Sequence, residues 1–64
     1  MRPIIEEEIK ETFARFRENE PARCVGFLDG LQAAGEINGE QRDELIEANH
    51  SLRECVSASL PRGL

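Results

Sequence analysis

The stretch Pro21 to Leu45, PARCVGFLDGLQAAGEINGEQRDEL, carries a helix, a stop, a cap and a second helix within twenty-five residues. Cys24 or Val25, Leu28 and Leu31 recur at helical spacing and define a buried stripe over 21–34. Gly35 supplies the left-handed residue that ends such a helix. Asn38 can then cap a new helix, with Gln41 three residues later completing a capping box and Ile37 just before it acting as a hydrophobic staple. A connection this short forces antiparallel neighbours, so the sequence predicts a helical hairpin.

Outward from the hairpin, an N-terminal segment over 3–18 begins at Pro3, a residue tolerated in the first helical turn. Glu6, Glu7 and Glu8 then lie near the positive end of the helix dipole. Ile5, Ile9, Phe13 and Phe16 share one face, while Glu6 with Lys10 and Glu11 with Arg15 form i, i+4 pairs on the other. Asn19, Glu20 and Pro21 interrupt the pattern, with Asn19 placed to cap the next start. The third segment runs over 39–60 through Leu45, Ala48, Leu52 and Val56 until Pro61 stops it. The expected fold is all-α: three helical segments in one domain spanning 1–64, an antiparallel hairpin with an additional N-terminal helix.

A chain of 64 residues buries only roughly 60% of the surface its unfolded form exposes. Chains this small gain stability from disulfides, a metal or oligomerisation. Oligomerisation is the expectation here, because Ala22, Gly26, Gly30 and Ala34 recur every fourth residue on one helix face where a second backbone can approach closely. Ala48, Ser51, Cys55 and Ser59 mark a second small-residue face. Two hairpins would complete a helical bundle as a homodimer.

Charge and composition narrow the function. Thirteen acidic against eight basic side chains give a net charge of −5, the wrong sign for a broad phosphate-binding field. There is no run of about 18 apolar residues to span a bilayer and no signal-peptide pattern. The expectation is a cytoplasmic protein with reduced thiols and no membrane partner. A helix-turn-helix reading of the hairpin fails because the would-be recognition helix carries Glu40, Asp43 and Glu44, so DNA is not expected as a partner.

Cys24, His50 and Cys55 are the only soft or borderline metal ligands, and their spacing matches no zinc pattern. The hairpin register brings Cys24 level with Asn49 or His50 and leaves Cys55 about 9 Å further along, beyond disulfide reach. Buried thiols, with no metal and no cofactor, are expected. Gly30 to Gln41 has the glycine and hydrophobic positions of a calcium loop, but Gly30, Gln32, Ala34 and Gln41 stand where carboxylates should coordinate. His50 lacks a compelling partner for acid–base chemistry, and Ser51 beside it points elsewhere. The acidic run Glu6, Glu7, Glu8, Glu11, Glu18 and Glu20 is diluted by Lys10, Arg15 and Arg17, which makes it a solvated face rather than a nucleic-acid mimic.

Arg15, Arg17 and Arg23 cluster around Phe16. In length, helical hairpin, acidic balance and the run Ala14, Arg15, Phe16, the chain resembles the plasmid-encoded Rop family, whose members form antiparallel dimers of hairpins and bind paired RNA loops. Pro21 and the longer turn depart from that family's pattern. The resemblance implies an RNA-binding regulator. The residues themselves favour a non-catalytic protein-interaction module, a regulator or adaptor, with Phe13, Phe16, Ala22, Gly26, Gly30, Ala34, Ala48 and Cys55 as interface candidates. Phe13 and Phe16 are the expected aromatic anchors for a protein partner.

Overall fold

Two proline-led helices, a glycine stop and two asparagines account for most of the element boundaries. A computed structural model of the chain describes residues 1–59, the side chain of Ser59 excepted. Its elements are α1 (Pro3–Phe16), α2 (Pro21–Ala33), α3 (Gly39–Glu47) and α4 (His50–Ser59), with no strand among the described residues. The expected stop at Pro61, and Leu60 before it, lie outside the described residues.

The signals around the α2–α3 turn act as the sequence predicts. Gly35 has φ +79°, a left-handed conformation that glycine adopts without a Cβ clash. The Glu36 amide donates to the Leu31 carbonyl at 2.9 Å and the Gly35 amide to Gln32 at 3.0 Å, satisfying two carbonyls at the end of α2. At the start of α3 the Gln41 amide donates to Asn38 Oδ1 at 2.8 Å and the Asn38 amide to Gln41 Oε1 at 2.9 Å. This is a complete capping box with asparagine in the cap position. Ile37 beside it is buried in the core.

α2 is the central helix and packs against α1, α3 and α4. Cys24 and Leu28 from α2 and Leu52 from α4 are completely inaccessible to solvent. Ile5, Ile9 and Phe13 from α1, Leu31, Ile37 and Ile46 complete one core cluster. Full burial of a leucine contributes roughly 1.5 to 3 kcal/mol, so a few side chains hold much of this domain. Ile4 falls off the α1 stripe and is 60% exposed.

Polar contacts tie the periphery. Arg2 meets Glu36 at 2.7 Å, joining the start of α1 to the α2–α3 turn. Arg42 of α3 binds Asp29 of α2. The expected Glu6–Lys10 and Glu11–Arg15 pairs do not form. Such exposed pairs gain little over hydration because holding two long side chains costs entropy. Asn19 does not cap α2 either: Glu20 is the cap residue, without a side-chain cap bond, and its carboxylate instead binds Arg23 at 2.8 Å.

The largest departure is in the third segment. Residues 39–59 form two helices, α3 and α4, broken at Ala48 and Asn49, where the apolar spacing predicts one. Asn49 closes the first helix and opens the second: its amide donates to Ile46, while its carbonyl accepts from Leu52 and Arg53. The bend sits beside α2, against which α4 packs. The four helices thus keep the predicted all-α class and the short turn at Gly35 while dividing the C-terminal arm.

The capping box stands in an exposed turn and is removable without touching the core. Asn38→Ala should lower unfolding free energy by about 1 kcal/mol, read as a lower urea midpoint at unchanged m-value.

Candidate functional site

The helical stripe that suggested close packing lies on the solvent side of α2. Ala22, Gly26, Gly30 and Ala34 are all exposed. A Cβ placed on Gly26 or Gly30 meets nothing within 4 Å, so neither glycine is required by a neighbour within the chain. The opposite face of the same helix carries the buried Cys24, Leu28 and Leu31. Asp29 is engaged by Arg42, which neutralises a carboxylate on this helix.

The other interface candidates are distributed differently. Phe13 is only 9% exposed and belongs to the core cluster, so it is not a projecting anchor. Its place at the i+4 position after Ile9 puts it on the same inward stripe as Ile5 and Ile9. Phe16 is half-buried against that core and lies under the Arg23 guanidinium, 4.8 Å from the ring centroid. This cation–π contact covers part of the aromatic surface. Ala48 is exposed at the α3–α4 break, and Ser51 and Cys55 are half-buried. The second small-residue face is therefore not an open stripe, and the Ser59 side chain is outside the described residues.

The arginine cluster is largely committed within the chain. Arg23 bridges Phe16 and Glu20, and Arg17 donates to Asn49 Oδ1 at 3.2 Å. Arg15 is exposed. Each guanidinium keeps further N–H donors beyond these contacts, and the Arg17 and Arg23 side chains are 45% and 62% exposed.

The potential metal ligands do not gather. Among the described residues no group of three or more His, Cys, Asp or Glu side chains is placed to hold a metal ion. Cys24 is buried and its thiol donates to the Thr12 carbonyl at 3.7 Å. Cys55 borders an open groove of about 410 Å³ with Pro21, Ala22 and Arg23 at the start of α2. Neither cysteine is in a disulfide. His50 lies on the exposed side of α4, where Nε2 meets Glu54 Oε1 at 3.1 Å. The expectation that His50 lacks a compelling partner misses this pair, although its i, i+4 spacing to Glu54 is the local signal that could have found it. Arg2–Glu36, Arg42–Asp29 and Arg17–Asn49, by contrast, join residues too far apart in sequence to be read from local pattern.

No helix among the described residues is long and apolar enough to cross a membrane. No family model, no curated protein and no solved structure matches the chain.

The aromatic pair separates core from surface. Phe13→Ala should cost about 3 to 5 kcal/mol, comparable with the whole stability of so small a domain, and should abolish the cooperative helical signal in circular dichroism. Phe16→Ala should leave a folded protein with a lowered melting temperature.

Burial pushes the Cys24 thiol above its ordinary value of 9.0, with the positive charge of Arg17 opposing part of the rise. The folded state then holds its thiol proton where the unfolded state has lost it. Stability from this group is complete below 9.0 and is lost as pH rises toward the folded-state value. Urea unfolding from pH 8 upward should show this decline, and Cys24→Ala should flatten it.

Proposed function

We propose that this protein is a small helical protein–protein interaction module, pairing with a second copy of itself through the outer face of α2 and acting by binding, as a regulator or adaptor, rather than by catalysis. The open space over Gly26 and Gly30 carries the reading. A glycine in a helix interior costs about 1 kcal/mol relative to alanine. Here alanine would fit at either position without a clash. The single chain therefore gains no packing from two costly residues in its central helix. A neighbouring backbone seated across them supplies the missing compensation, because the absent side chains permit close approach.

The thin core supports the same reading. Its buried side chains come from four short helices and from Ile37 in the α2–α3 turn, and a domain of this size commonly draws further stability from association. Pairing across α2 leaves α1 and α3, with their exposed charges, on the outside of the assembly for a further protein partner.

Light scattering across a dilution series, with and without reductant, tests the proposal. The expected result is a dimer that survives reductant and dissociates on dilution. Gly26→Leu should yield a folded monomer, since the space over Gly26 accommodates a side chain within one chain but not beneath a close neighbour. Gly26→Ala should weaken pairing by a smaller amount. A native protein that is monomeric at every concentration, or a Gly26→Leu variant with unchanged mass, overturns the reading.

A further inference from the structure

No glycine or proline interrupts residues 40–59, yet α3 ends at Glu47 and α4 begins at His50. Helix breaks without those residues usually arise where another group inserts into the backbone ladder. At this break the inserted group is the side chain of Asn49. In a continuous helix the Leu45 carbonyl would accept from the Asn49 backbone amide four residues on. Instead it accepts from Asn49 Nδ2 at 2.8 Å, and the displaced backbone amide turns to the Ile46 carbonyl at 3.1 Å.

The same side chain is held from outside. Arg17, just beyond the end of α1, donates through Nη1 to Asn49 Oδ1 at 3.2 Å. Asn49 thus gives its amide hydrogen to Leu45 and its carbonyl oxygen to Arg17, and the two partners fix which way the amide faces. An asparagine at a helix start ordinarily uses that oxygen to cap the first amides of its own helix. Arg17 diverts it, and a bond to a charged donor is stronger than its neutral counterpart.

We infer that Arg17 and Asn49 form a conformational latch that holds the α3–α4 bend, and that releasing it lets residues 39–59 run as one helix. Asn49 is the positioning residue, displacing one bond of the ladder. Arg17 is the catch, which links the end of α1 to the direction of α4. The latch lies on the exposed side of the chain, where changes in α1 reach it without disturbing Leu28 or Leu52. It is independent of pairing through α2, since its contacts are all within one chain.

Backbone amide exchange followed by NMR tests the latch directly, because in the bent form no backbone bond from His50 or Ser51 is formed across the break, whereas a continuous helix bonds both. In Asn49→Ala, exchange at His50 and Ser51 should slow by roughly fivefold or more, the protection of a newly formed helical bond. Carbon chemical shifts from Ala48 to Ser51 should move to helical values. Arg17→Gln, at an exposed position outside the core, should shift both readouts in the same direction by a smaller amount, and it decides the matter should Asn49→Ala fail to fold. Unchanged exchange and shifts at His50 and Ser51 in a folded variant overturn the latch and assign the bend to packing of Leu52.

Discussion

Burial of Cys24, Leu28 and Leu52 is the constraint on which the remaining structure depends. Among the described residues these are the side chains wholly removed from water, and they come from α2 and α4. Bringing α4 against α2 requires a tight reversal after α2, which Gly35 and the Asn38 capping box supply. It also requires the C-terminal arm to change direction, which the break at Asn49 permits. α1 then covers the same core with Ile5, Ile9 and Phe13. In a domain this small, where a single core supplies about 3 to 5 kcal/mol, a loss at any of these central positions is shared by the whole fold.

That economy explains how polar groups are used. The arginines do not form the regular i, i+4 ladder suggested by α1. They bridge elements: Arg2 reaches Glu36, Arg42 reaches Asp29, and Arg17 reaches Asn49. Individual surface ion pairs contribute little, but each of these joins segments that the thin core alone aligns over few contacts. Their effect is to set orientation more than to add stability. Arg17 and Arg23 keep contacts within the chain while their side chains remain exposed.

The central helix has two opposed characters. One side carries the fully buried residues, and the other carries Gly26 and Gly30 without a neighbour. Local propensity disfavours glycine there, and packing within the chain does not require it. Such disagreement between local and tertiary preferences is expected where a residue answers to binding. It distinguishes Gly26 and Gly30 from Gly35, whose φ of +79° gives glycine a role within the single chain.

The amino-acid sequence by itself determined the all-α class, the stop at Gly35, the capping box and the apolar stripe of α1, because each arises from groups a few residues apart. It also exposed the small-residue stripe, though not which way it faces, since helical period defines a face without defining what lies opposite. Phe13 shows the same limit: its stripe was legible, but its burial depended on where α2 placed the core. Only the tertiary structure decided the division of the C-terminal arm. Its apolar spacing continues through Ala48, and the Asn49 side chain at the break accepts from Arg17, thirty-two positions away in sequence. A bond over that separation exists only after the helices have packed, whereas caps and turns are specified by neighbours along the chain.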